Sequence, residues 1–142
     1  MTAVLEMIGG EELTGHKLLE IFKGAYMDAQ LDSDGDVRLA LDGIKVLITV
    51  DQSRKLVHFI SIFGVKPEAT RQQVLELCNR INDRLILIRA AYPAALPSPA
   101  LMLDHYVVTE AGVSPTEIVD DVRRFRSVIS SVPPLNTDDI LN

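Results

Sequence analysis

The sequence has little of several things: it contains no tryptophan, only 5% aromatic residues and a single cysteine, Cys78. One cysteine excludes a disulfide within the chain, and scarce aromatics leave aliphatic side chains to fill the core. No apolar run approaches the roughly 18 to 20 residues that a membrane-spanning helix needs, so we expect no membrane association. The first six residues lack the basic start and long apolar core of a signal peptide, and we therefore expect a cytoplasmic protein.

Positive charge is also in short supply. Fourteen Lys and Arg oppose twenty Asp and Glu, which gives a net charge of −6. Such a balance repels phosphate backbones, so we expect no nucleic-acid partner. With 142 residues, 47% of them hydrophobic, the chain has the size and composition of one domain.

Apolar spacing predicts the elements in order. Thr14 caps a first helix through Lys23, and Gly24 ends it in the left-handed conformation. Alternation then predicts strands over residues 25–31, 37–41, 44–50, 56–63, 85–91 and 101–109, with a helix continued to Met27 as the alternative to the first. Asp42-Gly43 predicts a tight hairpin turn between two of these strands.

Proline positions mark the other helices. Pro67 suits the first turn of a second helix that runs to about Asp83, and Ser114-Pro115-Thr116-Glu117 is a capping box that opens a third. The sequence therefore predicts an α+β protein with an antiparallel sheet of five to six strands packed by three helices, in the order α-β-β-β-(β)-α-β-β-α. We expect residues 14–132 to form a single domain between flexible ends, residues 1–13 and 133–142.

Motifs for phosphate, calcium or metal binding are incomplete. The run from Gly10 to Lys17 has one residue too many before its lysine for a phosphate loop and carries two carboxylates. None of the three histidines, His16, His58 and His105, has a metal-ligand partner at suitable spacing except Asp104, which adjoins His105 but points to the opposite face of the strand. A calcium loop would need its glycine two positions later and a twelfth-position Glu, so a plain turn is favoured for Asp32-Ser33-Asp34-Gly35-Asp36.

No catalytic cluster is evident either. Cys78 shares an apolar helix face with Val74, Leu77 and Ile81, which predicts a core side chain and not a nucleophile. We therefore expect no enzyme activity, no cofactor and no metal. A hydrolase site near His58 or His105 is the remaining enzymatic alternative.

Five residues are candidates for contact with a partner. Asn79 and Asn82 stand three apart on the second helix, where they either satisfy backbone groups of the domain or hold a partner peptide. Arg89 is a third polar candidate. Pro97 and Pro99 belong to the proline loop at 93–99, which either connects a hairpin or docks on another protein.

A family resemblance adds to this. The runs Phe63-Gly64-Val65, residues 77–82 leading into 85–90, and Ala111-Gly112-Val113-Ser114 resemble the YbjN-like family of bacterial sensory transduction regulators. The resemblance covers most of residues 14–130 and implies a type III secretion chaperone-like fold. Proteins of that fold are small and acidic, bind extended segments of partner chains and often dimerise, so it also implies a homodimer. The family has a short Asp or Gly turn where this chain has the proline loop.

Two functional hypotheses follow. The leading one is a non-enzymatic protein-interaction or regulatory module that binds a partner segment in a chaperone-like manner, on an exposed sheet face or strand edge. The alternative is a small-ligand sensor that binds between sheet and helices, with Asn79, Asn82 and Arg89 as polar contacts.

Overall fold

The computed structural model describes residues 6–142, and within that range the chain has three α-helices, six β-strands and one short 3-10 helix. The strands form one antiparallel sheet in the order β1-β2-β3-β4-β6-β5. The predicted fold class and element order are confirmed. The elements are α1 (Gly15–Gly24), β1 (Asp28–Leu31), β2 (Val37–Leu41), β3 (Ile44–Asp51), β4 (Leu56–Gly64), α2 (Arg71–Arg84), β5 (Arg89–Ala91), β6 (Ala100–Val108), α3 (Pro115–Ile129) and the 3-10 turn Pro133–Leu135.

Helix α1 begins as predicted and ends differently. The Lys17 N–H donates to the Thr14 hydroxyl at 3.1 Å, which caps the helix. Its left-handed residue is Tyr26, with φ 61°, and not Gly24. The Tyr26 and Met27 amides donate back to the carbonyls of Lys23 and Phe22, each at 3.0 Å. Because this closing motif uses residues 25–27, β1 starts only at Asp28 and the strand predicted from residue 25 is too long.

The hairpin between β2 and β3 is confirmed. Asp42 and Gly43 both have positive φ, 47° and 84°, as a two-residue type I′ turn requires. This turn sets a register that places Val37 opposite Ile48 and puts both side chains in the core. The buried residues of β2 and β3 therefore share one face of the sheet.

The predicted bounds of α2 and β5 need correction. Helix α2 begins at Arg71, not near Pro67, because Thr70 and Gln73 form a capping box with hydrogen bonds of 3.2 and 2.9 Å. Strand β5 covers three residues instead of seven. The Leu85 amide still donates to the Ile81 carbonyl at 2.9 Å, and Leu87 has φ 62°, so the chain is not extended before Arg89.

Helix α3 matches its prediction. The Ser114 hydroxyl accepts a hydrogen bond from the Glu117 N–H at 3.1 Å, and Pro115 occupies the first helical position. Ile118, Val122 and Phe125 form the expected buried stripe, each no more than 1% exposed. Within the described residues, no helix is both long and apolar enough to span a membrane.

The chain divides into two compact units. Among the described residues, the first comprises residues 6–59 together with Tyr106–Arg124, and the second comprises Ile60–His105 with Phe125–Asn142. A single domain over residues 14–132 stays a prediction, for which one cooperative unfolding transition is the expected result.

Both predicted flexible ends make contacts in the structure. Residues 1–5 of the first lie outside the described residues, but Ile8 is buried and exchanges two backbone hydrogen bonds with Val113, at 2.8 and 3.0 Å. At the other end Ile140 is 4% exposed, and Leu141 is paired with Val65. Each segment contains a buried aliphatic side chain, Ile8 or Ile140, and the burial of this side chain holds the segment against the protein although its neighbours are polar.

Candidate functional site

One face of the sheet in the first unit presents apolar side chains to solvent. Strands alternate their side chains between two faces, and α1 contacts β1, β2 and β3 on the side of the buried Leu18 and Phe22. The opposite side is made of residues that are only half-buried or exposed. We define the open face as the residues of the first unit with this orientation on β2, β3, β4 and β6: Arg38, Lys45, Leu47, Thr49, Leu56, His58, Tyr106 and Val108.

A ring pair stands on the open face. The rings of His58 and Tyr106 stack with centroids 3.9 Å apart and an interplanar angle of 4°. Tyr106 keeps 38% of its surface exposed, and Val108, two residues along the same face of β6, keeps 66%. Because each ring limits the rotation of the other, the pair is a rigid aromatic platform that carries the imidazole nitrogens and the phenol hydroxyl as polar groups.

Charged side chains border this platform. Arg38, on β2, has its Nε 3.2 Å from the Asp32 carboxylate. In the turn between β3 and β4, the Arg54 Nε donates to Asp51 Oδ2 at 2.7 Å, and this hydrogen bond holds the pKa of Asp51 below its usual range. The open face and its surroundings therefore combine aliphatic, aromatic and charged side chains, a mixture also found in protein-interaction surfaces.

Two of the five predicted partner residues are engaged inside the second unit. The Asn82 side-chain amide donates to the Ala90 carbonyl at 3.1 Å, and its oxygen accepts from the Ala90 N–H at 2.8 Å. Arg89 donates from Nε and Nη2 to the two oxygens of Asp104, at 3.0 and 2.6 Å. Asp104 is 1% exposed. Asn82 thus satisfies backbone groups of β5, which is one of the two roles that the sequence left open for it.

The other three predicted residues lie at the surface of the second unit. Asn79 is exposed on the outer side of α2, where it helps to line an open depression of about 830 Å³ together with Leu75 and Arg80. Pro97 and Pro99 are exposed in the loop before β6, and the Pro99 carbonyl accepts a hydrogen bond from the Val65 N–H at 3.1 Å. The five residues therefore have different settings and do not make up one binding constellation.

The aspartate run forms the predicted turn. The Asp32 carboxylate accepts hydrogen bonds from the amides of Asp34 and Asp36, each at 3.0 Å. The turn brings carboxylate oxygens of Asp32, Asp34 and Asp36 within 4.8 Å of one another. Burial, and then the charges of Asp32 and Asp34, raise the pKa of Asp36. Carboxylates this close are chemically able to hold a hard cation, but the turn and the Arg38 pair already account for their positions.

Cys78 is a core residue, as predicted. It is 6% exposed on the buried face of α2, and burial raises the pKa of its thiol to about 11. A thiol in this environment is neutral near pH 7 and is a poor nucleophile.

The open face was not identified from the sequence, although a signal for it existed. His58 and Tyr106 both stand at positions of predicted strands that alternate with the buried set, where polar residues are typical of a solvent-facing surface. Leu56 and Val108 share that orientation. Apolar and aromatic residues at solvent-facing positions of neighbouring strands are the sequence signal for such an exposed patch.

Comparisons with known proteins agree with the fold. The family model YbjN, described as "Putative bacterial sensory transduction regulator", matches residues 16–134. The crystal structure of YbjN from E. coli, described as "a putative transcription regulator", has a TM-score of 0.76 and 19% identity over 98% of this chain and 99% of that chain. No curated protein matches the sequence.

Two complexes of secretion chaperones also share the fold. The HopA1-SchA chaperone-effector complex gives a TM-score of 0.54 at 11% identity, over 80% of this chain and 92% of that chain. The Yersinia pestis type III secretion chaperone SycH, in complex with a stable fragment of YscM2, gives 0.54 at 14% identity, over 86% of this chain and 99% of that chain. The chain has a type III secretion chaperone-like fold and, by the family match over most of its length, belongs to the YbjN family.

Proposed function

We propose that this chain is a non-enzymatic protein-interaction or regulatory module that binds an extended segment of a partner protein on the open face. The observation that carries the proposal is the His58–Tyr106 platform, with the two-thirds-exposed Val108 beside it. Exposed apolar patches with a polar rim are typical of protein-binding surfaces. An extended segment can place alternate side chains on such a face.

The similar structures support a protein partner. Two of the proteins with this fold, SycH and the chaperone of the HopA1-SchA complex, are described in complexes with other proteins. For this chain we propose the same class of interaction. The net charge of −6 favours a partner segment that is apolar or basic over one that is acidic.

The small-ligand alternative finds less support. Its three polar contacts were Asn79, Asn82 and Arg89, but Asn82 already satisfies Ala90 and Arg89 already pairs with Asp104. A ligand would have to displace these hydrogen bonds, at the cost of a buried carboxylate left without its arginine.

Site-specific photo-crosslinking tests the proposal. A benzophenone amino acid replaces Tyr106 in one variant, and in the matched control it replaces Tyr26, which is 98% exposed at the end of α1. We expect a discrete crosslinked partner in cells from position 106 and none from position 26. Equal crosslinking from both positions, or none from position 106 in a folded variant, would contradict the assignment of the open face.

We also propose a cytoplasmic homodimer, and contact of Asn79, Pro97 and Pro99 with the partner. Analytical ultracentrifugation that shows only monomer at micromolar concentration would refute the dimer.

The Pro97→Ala variant should recover less partner than wild type, because proline restricts an exposed loop to extended conformations that are ready to bind. Unchanged recovery would remove the loop from the binding surface.

A further inference from the structure

The chain after the 3-10 turn forms a short strand against the end of β4. The Asn142 amide donates to the Gly64 carbonyl at 2.9 Å, and the Lys66 amide donates to the Ile140 carbonyl at 2.8 Å. Val65 and Leu141 face each other in this antiparallel pair. Residues 136–142, which we call the closing segment, thus turn at Thr137 and Asp138 and then pair through Leu141 with the edge made by residues 64–66 in the second unit.

Side chains make this pairing specific. Ile140 is only 4% exposed, so the closing segment inserts one aliphatic side chain into the protein. The neighbouring Asp139 carboxylate lies 2.9 Å from Lys66 Nζ. The edge therefore recognises three features of the segment: an extended backbone, an aliphatic side chain, and an acidic side chain directly before it.

The contacts that hold the closing segment are few and largely exposed to solvent. Asp139 has φ 50°, a left-handed conformation that Asp adopts more readily than most residues with a Cβ but less readily than an extended one. Its ion pair with Lys66 is largely exposed on the aspartate side, at 82%, and exposed ion pairs contribute little. Two backbone hydrogen bonds join the segment to residues 64–66, and the Arg80 guanidinium donates to the Thr137 hydroxyl at 3.2 Å. Segments with few contacts and exposed hydrogen bonds open locally without global unfolding.

We propose that residues 64–66, with the pocket for Ile140, are a peptide-binding edge that the closing segment occupies in cis and a partner protein occupies in trans. The partner is an extended segment with an acidic residue directly before two aliphatic residues, as in Asp139-Ile140-Leu141. A trans segment that keeps an ordinary β conformation at the acidic position avoids the strain of Asp139. This site differs from the open face, so its test is separate from that of the proposed function.

The closing segment competes with the partner segment for residues 64–66 and so weakens the partner's apparent affinity. A tethered competitor acts at an effective concentration on the order of millimolar, so a trans segment binds weakly until the closing segment is released. Residues 64–66 therefore behave as a gated site, and displacement of the closing segment is the step that exposes it.

Fluorescence anisotropy with a labelled synthetic peptide of residues 136–142 tests this on the full chain. In the Ile140→Ser variant the protein's own segment loses its anchor, and we expect the peptide to bind about tenfold or more tighter than to wild type. Adding Lys66→Glu should weaken that binding by roughly two- to fivefold, since it turns an exposed attractive pair into a repulsive one. The matched control adds Lys23→Glu, at an exposed lysine of α1, and should leave the affinity unchanged.

A charge swap completes the test. A peptide carrying Asp139→Lys should bind the Lys66→Glu protein more tightly than the Lys66 protein, the reverse of the order for the unchanged peptide. Equal binding of the peptide to wild type and Ile140→Ser, or no effect of the charge swap, overturns the proposal. If wild type is a dimer that Ile140→Ser dissociates, the trans occupant is a second copy of this chain, which overturns the assignment to another protein.

Hydrogen exchange on the wild-type protein gives a second readout that needs no variant. The Lys66 and Asn142 amides should exchange through local opening, about a hundredfold or more faster than the amide of the buried Phe59 on β4. Exchange of all three amides at one rate would mean that the closing segment opens only on global unfolding, and would also overturn the proposal.

Discussion

The Arg89–Asp104 pair offers the sharpest prediction on stability. Asp104 is 1% exposed, and its two oxygens accept the two hydrogen bonds of the Arg89 fork at 3.0 and 2.6 Å. Such a bidentate contact is among the stronger side-chain interactions in proteins. The Arg89→Ala variant removes both donors and leaves the Asp104 carboxylate in a buried position.

The size of the effect follows from the unequal exposure of the two partners. Breaking a fully buried ion pair costs about 3 to 5 kcal/mol. The Arg89 side chain is 61% exposed, so water can enter beside Asp104 once the guanidinium is gone. We therefore expect Arg89→Ala to lower the free energy of unfolding by about 2 kcal/mol, and the midpoint temperature by roughly 6 °C.

Urea unfolding followed by circular dichroism measures this loss. Arg89→Lys should fall between Ala and wild type, because lysine keeps the charge but not the bidentate geometry. The control is Lys17→Ala, which breaks an exposed pair with Glu20 at 3.7 Å and should cost less than about 0.5 kcal/mol. Equal effects of Arg89→Ala and Lys17→Ala would refute the reasoning from burial.

Three further predictions concern single positions. Asn82→Ala should cost about 1 to 2 kcal/mol, because Ala90 loses two hydrogen bonds, whereas Asn79→Ala should stay within about 0.5 kcal/mol in the same unfolding assay. Tyr26→Gly should raise the midpoint temperature, because glycine takes φ 61° without strain and the exposed ring gives up little packing; a lower midpoint would contradict this. The thiol of Cys78 ionises near pH 9 when unfolded and near pH 11 when folded, so the unfolded state releases its proton first. Stability should therefore fall between these pH values, and by less in Cys78→Ala than in wild type.

Local signals made most of the fold predictable. The Asp42-Gly43 turn and the Ser114-Pro115 helix start are determined by residues next to one another, and both appear where the sequence places them. Helix α2 shows the limit of such signals, because Pro67 and Thr70 are both suitable helix starts. The Thr70–Gln73 capping box decides between them.

The functional surfaces depend on contacts between distant parts of the chain. The Arg89–Asp104 pair and the His58–Tyr106 stack each join residues of different strands. The burial of Ile140 requires the end of β4, which lies far away in the sequence. Periodicity assigns each of these residues to an element, but it does not show which residue of another element lies opposite, so these partners could not be predicted.

Quantitative mass spectrometry of proteins that copurify with the chain tests the central claim most directly. Val108→Asp places a charge beside the His58–Tyr106 stack on the open face, and Tyr26→Asp makes the same kind of change at another exposed residue with a large apolar side chain, at the end of α1. With both variants folded by circular dichroism, the account predicts a partner protein that is recovered with wild type and Tyr26→Asp and lost with Val108→Asp. Recovery of the same partner with Val108→Asp would contradict the account.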